Sequence, residues 1–373
     1  MRVAIVLWSG AYGGAETWSL ALAEALSKRA TAGVVVVGNP EPLCDRLRGK
    51  EIRLEALRLR RGRDVLAHAA SFASHVRGIG ADASILPSGG YLAAALRLGG
   101  YRGRVLAVEH GDLLQRPRLN AMRRTVRSLD ALSGSWAVDA LVAPSDYMLR
   151  EMCRHVGDRT VRRIYLGVDV DSGAPKQEFA DDTTLTVGFA GRLIPGKGLE
   201  VLLEAVSRTT CPDVRVEVAG DGPERGRLEA EAMRLGISDK VRFHGWVGDL
   251  PAFWRRCAIA VVPSREWIES FGMVAVEAMA QGLPVIAARN GGLAEVVSEG
   301  ETGALFDVGD SEALGRLISS YAGDPGLRRR QSVLARERVR TRFNIDRCAQ
   351  EFLELVRGLS DHQGERAAMT GKA

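Results

Sequence analysis

The sequence lacks the features that mark several large classes of protein. Its five cysteines form no C-x-x-C pair and are odd in number, so we expect free thiols in a reducing compartment. No apolar run approaches the length of a membrane-spanning helix, and the apolar run at 3–8 is too short for a signal peptide. From these absences we expect a cytoplasmic protein.

Several catalytic and nucleotide-binding motifs are missing as well. The glycine-rich loop near the N-terminus lacks the G-x-G-x-x-G dinucleotide fingerprint, which disfavours a nicotinamide dehydrogenase. The only Asp-x-Asp, at 169–171, indicates a domain-boundary turn in preference to a metal site. The sequence presents no Ser–His–Asp set and no clear carboxylate nucleophile.

The charge balance is mild, since 51 basic residues and 46 acidic residues leave a net charge of +5. This charge is compatible with an anionic ligand but gives no argument for nucleic acid. Two basic runs, at 58–63 and 116–127, indicate either solvated faces or contacts with an anionic membrane surface or an acidic acceptor. Neither run interleaves aromatic residues as a single-strand nucleic-acid platform would, so we expect no nucleic-acid partner.

The first half of the chain has the pattern of a doubly wound α/β domain. A strand predicted at 2–7 leads into a glycine-rich turn at 8–16 and then a helix at 17–29. Further short apolar runs alternate with helical segments, which favours a parallel sheet covered on both faces. His110 lies just after a predicted strand at 105–108, at the kind of carboxyl end where such sheets bind ligands. A lone histidine is also compatible with a structural role.

The same pattern restarts in the second half. A strand at 186–190, a loop at 191–198 and a helix at 199–208 follow in order. The loop contains Arg192 and Lys197 at a helix start, where the dipole, free backbone amides and two cations all favour a phosphate. A surface loop with two incidental cations is the alternative. Two such halves in a chain of 373 residues predict two domains.

The stretch at 261–288 stands out in the second half, because Glu277 is the only charged side chain from Ser270 to Ala288. It predicts a buried strand, a polar loop, a helix at 271–281 and a further strand. Glu277 is the lone carboxylate of that helix, and its burial is costly unless partners satisfy it. Glu269 stands just before the helix, where the positive dipole end favours anions. The structural alternative is that Glu277 pairs with a core arginine and Glu269 is a helix-start residue.

The spacing of this stretch resembles a known signature. Glu269-x-Phe271-Gly272, followed by Glu277 and by Ala-Met-Ala-x-Gly-x-Pro-Val-Ile-Ala, is similar to that of the retaining glycosyltransferases of family 4, which have the GT-B fold. The resemblance implies that Glu277 holds the ribose hydroxyls of a nucleotide and that Glu269 holds sugar hydroxyls. It also implies that the amides of Phe271 and Gly272 face the sugar.

Other motifs resemble the same family. Gly-Gly-x-Glu at 13–16 is similar to the loop that passes close to the donor diphosphate, which assigns Gly14 to that contact. Gly-Arg followed by Gly-Lys-Gly looks like the family's diphosphate clamp, which assigns Arg192 and Lys197. The family's histidine that reaches the donor sugar corresponds to His110, to which we give hydrogen bonding rather than base catalysis.

The resemblance implies an α/β protein of GT-B fold, with two doubly wound Rossmann-like domains facing across a cleft. Residues 1–170 would form the acceptor-binding domain and residues 185–345 the nucleotide-sugar-binding domain, joined by a linker at 171–184. The last helix, at about 346–358, is expected to pack back on the first domain. The polar tail from residue 360 is expected to be disordered.

The family's chemistry is transfer with retained anomeric configuration, from a nucleotide diphosphate sugar to an acceptor hydroxyl. We expect a UDP-sugar as donor, in natural-product, antibiotic or glycan biosynthesis. One alternative is a GT-B sugar-nucleotide epimerase or phosphorylase. Another is a mannosyltransferase that uses GDP-mannose and a lipid or polysaccharide acceptor.

The resemblance also bears on cofactors and partners. Two fixed cations can replace a divalent metal at the diphosphate, so we expect no metal and no cofactor beyond the nucleotide-sugar co-substrate. The acceptor is either a small molecule or lipid-linked. Contact with a membrane surface is not favoured, because the sequence shows no clear amphipathic anchor. A nucleotide-binding module without turnover is the alternative outside the enzymes.

Overall fold

The computed structural model describes residues 1–9, 14–41, 47, 49–59, 62–86, 90–110, 136–156, 161–170, 184–209, 211, 213–266 and 268–370. The chain divides into two compact units. The first consists of Met1–Gly167 together with Ile345–Ala373, and the second of Val168–Asn344. Each unit has a hydrophobic core of its own, built on a parallel sheet.

The first unit contains a seven-stranded sheet in which every described pairing is parallel. Its strands are β1 Arg2–Ser9, β2 Thr31–Gly38, β3 Arg53–Leu57, β4 Ala83–Leu86, β5 Arg104–Val108, β6 Ala140–Ala143 and β7 Val161–Arg163. Their order across the sheet is β3-β2-β1-β4-β5-β6-β7. The four valines at 34–37 of β2 are fully buried, as expected when helices cover both faces of a parallel sheet.

Helices alternate with these strands along the chain. They are α1 Gly14–Ser27, a 3-10 helix at Gly62–Val65, α2 Ala69–Ile79, α3 Gly90–Leu98 and α4 Asp146–Val156. This alternation produces the doubly wound topology, because each crossover between parallel strands needs a covering segment.

The second unit contains a six-stranded parallel sheet in the order β10-β9-β8-β11-β12-β13. Its strands are β8 Leu185–Ala190, β9 Val214–Ala219, β10 Val241–Gly245, β11 Ile259–Val262, β12 Val285–Ala288 and β13 Gly303–Phe306. Its helices are α5 Leu199–Ser207, α6 Arg225–Arg234, α7 Leu250–Arg255, α8 Met273–Ala280, α9 Leu293–Val296, α10 Ser311–Gly323 and α11 Pro325–Arg342. The doubly wound α/β fold that the sequence predicts is thus confirmed.

The last helix, α12, runs from Ile345 to Thr370 and belongs to the first unit. Its Phe352 ring lies 6.0 Å from the buried ring of Trp18 in α1. Arg347 donates a hydrogen bond to the carbonyl oxygen of Tyr165 at 2.7 Å. The chain therefore returns to its first unit after completing the second.

Several helix boundaries differ from the prediction, and three of these differences are larger than the rest or have a clear cause. α1 begins at Gly14, three residues earlier than predicted, so the end of the glycine-rich stretch forms its first turn. α8 begins two residues later than predicted, because Gly272 has a left-handed φ of +101° that is incompatible with a helix. α12 continues to Thr370, so the prediction of a disordered tail from residue 360 is wrong. Its last residues include alanine, methionine, glutamate and arginine, which favour a helix.

Some predicted features lie outside the described residues. They are residues 10–13 of the glycine-rich turn at 8–16, the basic run at 116–127 and nearly all of the linker at 171–184. Within the described part of the chain, no helix combines the length and the apolar character needed to cross a membrane.

Candidate active site

The second sheet reverses its strand order at β8, which lies between β9 and β11. Doubly wound sheets bind ligands at such a point, in the crevice at the carboxyl ends of the strands. Three segments emerge at this edge: residues 191–198 after β8, residues 263–272 after β11 and residues 289–292 after β12. These segments contain five of the eight predicted site residues. A sixth, Glu277, lies in α8, the helix that follows residues 263–272.

The loop after β8 is fastened to the loop after β11 by a close backbone approach. Gly198 adopts a left-handed φ of +77°, and a Cβ there would lie 1.9 Å from the carbonyl oxygen of Pro263. The amide of Arg265 donates a hydrogen bond to the carbonyl oxygen of Gly196 at 2.7 Å. A larger residue at position 198 would therefore push the two loops apart.

This approach brings two predicted residues together. Lys197 Nζ lies 2.7 Å from Glu269 Oε1, and both side chains are largely buried. The hydroxyl of Ser264 donates a hydrogen bond to the same carboxylate oxygen at 2.6 Å. Removing one partner of a buried ion pair leaves the other charge uncompensated, so the pair depends on both residues. The two loops thus hold a cation and an acid in a fixed position.

Asn290 supports the backbone beneath this pair. Its Nδ2 donates hydrogen bonds to the carbonyl oxygens of Ser264 and Arg265 at 3.0 and 3.2 Å. The amide of Gly292 donates to the carbonyl oxygen of Glu269 at 2.7 Å. Sequence reasoning missed Ser264 and Asn290 as site residues. The sequence does contain one indication of both residues, because each is polar and lies within two positions of the end of a buried strand.

The start of α8 supplies backbone amides to the same edge. Gly272 is the N-cap, and no described side chain makes a capping hydrogen bond there. Phe271 is buried with its ring 5.5 Å from that of Phe343, which anchors the segment before the helix. The amides of the first turn and the positive dipole end favour an anion. Arg192, two residues after β8, adds an exposed cation at this edge.

Glu277 lies one turn inside α8. Its carboxylate makes no hydrogen bond or ion pair with any described residue, so the alternative pairing with a core arginine is not found there. Desolvation raises its pKa from the ordinary value of 4.5 to about 7. A desolvated carboxylate without partners is costly, and perturbed acids of this kind cluster at functional sites.

The arrangement can hold an anion and a hydroxylated group side by side. Cations and helix amides bind phosphate oxygens, whereas a carboxylate accepts hydrogen bonds from hydroxyl groups. The described residues contain no group of three or more His, Cys, Asp or Glu side chains placed to hold a metal ion.

The two remaining predicted residues, Gly14 and His110, belong to the first unit. Gly14 is the exposed first residue of α1. The Nε2 of His110 is buried without a hydrogen-bond partner among the described residues, and the ring stands edge-on to Trp18 with 5.4 Å between centroids. Burial lowers the pKa of His110 to about 4, so the imidazole is neutral at pH 7. A neutral imidazole donates one hydrogen bond and accepts another.

The fold places the chain in the class of α/β proteins with two doubly wound units, and the second unit has a sheet edge suited to an anion. Comparison with known families narrows this class. Residues 12–172 match the family described as Glycosyltransferase Family 4, and residues 173–338 match the family described as Glycosyl transferases group 1. The chain belongs to the glycosyltransferases of family 4 and has the GT-B fold, as its motifs predicted.

Two curated relatives show how far the similarity extends. The lipopolysaccharide core biosynthesis glycosyltransferase LpsE of Rhizobium meliloti is 35% identical over 166 residues, which cover 44% of this chain and 48% of LpsE. A D-inositol 3-phosphate glycosyltransferase of Streptomyces scabiei is 34% identical over 254 residues, which cover 62% of this chain and 56% of the relative. The chain thus spans about half the length of the curated relatives it matches.

A solved structure agrees in fold over nearly the whole chain. HepE of Anabaena, crystallised in complex with UDP-glucose, superposes with a TM-score of 0.81 and 23% sequence identity. The superposition covers 96% of this chain and 100% of HepE. At this level of identity the likeness establishes the fold.

Proposed function

We propose that this protein is a retaining glycosyltransferase that moves a sugar from a nucleotide diphosphate sugar, by preference a UDP-sugar, to a hydroxyl group of an acceptor. One observation carries the proposal: at the edge of the second sheet, Lys197 is paired with Glu269 beside the start of α8, and Glu277 has no partner among the described residues. If this edge of the sheet served only for packing, an unsatisfied, desolvated carboxylate would destabilise the fold and bring no benefit.

The donor's diphosphate lies against Arg192, Lys197 and the first amides of α8. Two cations and a helix start offset the diphosphate charge, and for this reason we expect transfer without a divalent metal. Glu277 accepts hydrogen bonds from the ribose hydroxyls, which satisfies its carboxylate and favours the ionised form. Glu269 and the amides of Phe271 and Gly272 hold hydroxyl groups of the sugar.

The reaction exchanges one bond at the anomeric carbon for another. The bond from that carbon to the phosphate oxygen breaks, and the bond to the acceptor oxygen forms on the same face, so the configuration is retained. The acceptor proton passes to the leaving phosphate oxygen, and no protein base is required. Arg192 and Lys197 stabilise the charge that builds up on the diphosphate, which lowers the barrier.

The first unit contributes neutral contacts. The buried Nε2 of His110 is suited to one hydrogen bond with a sugar hydroxyl, and its lowered pKa keeps the ring neutral during turnover. Gly14 has no side chain, so the backbone at the start of α1 can come close to the diphosphate. We propose no proton transfer at either residue.

The names of the relatives bear on donor and acceptor. The complex of HepE with UDP-glucose supports a UDP-sugar as donor. LpsE is named for lipopolysaccharide core biosynthesis, and the Streptomyces relative for D-inositol 3-phosphate. We therefore propose an acceptor that carries several hydroxyl groups, either as a small molecule or as a lipid-linked glycan.

A donor panel tests the proposal without knowledge of the acceptor. UDP-glucose, UDP-N-acetylglucosamine, GDP-mannose and ADP-glucose are titrated calorimetrically, and slow hydrolysis is followed by NMR. We expect one UDP-sugar to bind best, to be hydrolysed slowly, and to release a sugar that first carries the donor's anomeric configuration.

Other outcomes would overturn the proposal in distinguishable ways. An isomerised nucleotide sugar indicates an epimerase, and turnover that requires inorganic phosphate indicates a phosphorylase. Binding of UDP with no hydrolysis or transfer, even with a panel of polyol and glycolipid acceptors, indicates a nucleotide-binding module without turnover. If none of the nucleotide sugars binds, the assignment of this sheet edge as a donor site is wrong.

A further inference from the structure

Helix α11 holds an unusual share of the positive charge. The 18 residues Pro325–Arg342 include seven arginines and one glutamate. Their net charge therefore exceeds the net charge of +5 carried by the whole chain. This concentration lies in the second unit, outside the loops that form the candidate active site.

Two of these arginines have structural roles. Arg328 is buried, and its guanidinium donates to the carbonyl oxygens of Tyr321 and Ala322 at the end of α10. Arg338 donates to the carbonyl oxygens of Glu295 and Val296 at 2.9 and 2.8 Å. They belong to the face of α11 that packs on its own unit.

The opposite face of α11 combines exposed arginines with exposed aliphatic side chains. Val333 is 70% exposed and Leu334 is 46% exposed. The side chains of Arg330 and Arg340 are 67% and 65% exposed. At 100° per residue, the exposed Arg329 and Arg340 and the half-buried Arg336 all fall within about 60° of Val333 on this face. Two acids reach these arginines: Glu337 is paired with Arg340 at 2.7 Å, and Asp324 lies 3.9 Å from Arg330.

The combination of arginine and aliphatic side chains on this face of α11 indicates which kind of partner it binds. Arginines alone would suit any polyanion, because they bind phosphate groups whatever carries them. Two aliphatic side chains among those arginines gain nothing from a sugar–phosphate backbone. They gain from an interface that offers phosphate groups and hydrocarbon at neighbouring depths, which is the surface of an anionic bilayer.

We propose that the outward face of α11 docks on an anionic phospholipid surface. The arginines contact the phosphate groups, and Val333 and Leu334 enter the headgroup layer between them. The contact is peripheral and reversible, since few apolar groups are buried. It does not rest on the proposed function, because the face holds none of the predicted site residues.

Vesicle co-sedimentation of the full chain tests the proposal. Vesicles of phosphatidylcholine with 30% phosphatidylglycerol are compared with vesicles of phosphatidylcholine alone. We expect binding to the anionic vesicles only, reduced about tenfold or more by Arg330→Glu with Arg340→Glu. The matched control is Arg234→Glu with Arg316→Glu, two similarly exposed arginines on α6 and α10 of the same unit. It makes the same change in net charge and is expected to keep binding within about twofold.

A second pair of variants separates a bilayer from a general polyanion. Val333→Ser with Leu334→Ser keeps every charge and removes the aliphatic groups. We expect it to weaken vesicle binding several-fold while leaving retention on heparin unchanged. The proposal is overturned if the chain ignores anionic vesicles, if the control pair loses binding as the α11 pair does, or if the serine pair binds vesicles like the unaltered chain. Circular dichroism confirms that each variant is folded.

Discussion

The two units of the molecule use the same strand order but place different chemistry at the point where that order reverses. In the second unit this edge holds the Lys197–Glu269 pair and leads to the desolvated Glu277. In the first unit the corresponding edge offers the start of α1 at Gly14 and, further along the sheet, the neutral His110. The scaffold thus fixes where a ligand lies, and the loops fix which ligand it is.

The difference is electrostatic. Cations, helix amides and an acid in the second unit suit the charged nucleotide, whereas uncharged contacts in the first unit suit hydroxyl groups. We therefore expect substitutions in the second unit to lower UDP affinity. Substitutions in the first unit should lower sugar transfer and leave UDP affinity nearly unchanged.

The largest effect is expected for Lys197→Ala. The change removes a cation from the leaving diphosphate and leaves Glu269 buried without its partner, so donor hydrolysis or transfer should fall about 100- to 1000-fold. Calorimetry should show a parallel loss of UDP affinity. Lys240→Ala is the control, because Lys240 immediately precedes β10 at the amino edge of the same sheet. Equal activity of the two variants would contradict the assignment of Lys197.

Glu277→Gln should separate binding from stability. We expect UDP affinity to fall about tenfold, because a carboxylate is the stronger acceptor for two hydroxyl groups. In the absence of ligand the same variant should be more stable than the unaltered chain above pH 7, by on the order of 2 kcal/mol.

The sign of this pH dependence follows from the raised pKa of Glu277, about 7 in the folded state against an ordinary 4.5. Between these values the unfolded chain releases its proton first, so folding stability falls as the pH rises from about 4.5 to 7. Glutamine has no such proton. The free energies of unfolding of the unaltered chain and of Glu277→Gln, measured with denaturant, should differ at pH 8 and converge at pH 5. The same difference at both pH values would mean that the pKa of Glu277 is not raised in the folded state.

A smaller and more selective effect is expected for His110→Ala. UDP lacks the transferred sugar, so its affinity should stay within about twofold, while transfer falls about 10-fold because one hydrogen bond to that sugar is lost. His68→Ala, an exposed histidine of the same unit, is the control. A loss of UDP affinity in the His110 variant would show that the division between the units is wrong.

Much of the fold could be predicted because its signals are local. The strands Ala83–Leu86, Ala140–Ala143 and Val285–Ala288 agree with their apolar runs to the residue. Parallel strands buried on both faces leave such runs, bounded by glycine or polar residues. The resemblance assigned Lys197 to the diphosphate and Glu269 to the sugar hydroxyls, and the structure places Lys197 Nζ 2.7 Å from Glu269 Oε1.

The remainder depends on contacts that no local pattern contains. Ser264 acts through a hydrogen bond across its own loop, and Asn290 through hydrogen bonds to a loop that follows a different strand, so no helix or strand period predicts either contact. The start of α8 depends on the left-handed backbone of Gly272, which a helical pattern does not reveal. The charged face of α11 appears in the sequence only as a run rich in arginine; its exposed Val333 becomes evident once the buried face is known.

The most direct test is a crystal structure of the chain with an intact UDP-sugar. We expect the diphosphate within hydrogen-bond distance of Lys197 and Arg192, at the amide end of α8, with the ribose hydroxyls on the Glu277 carboxylate. A donor bound elsewhere, with the Lys197–Glu269 pair undisturbed and Glu277 still without a partner, would contradict the assignment of the second unit as the donor site.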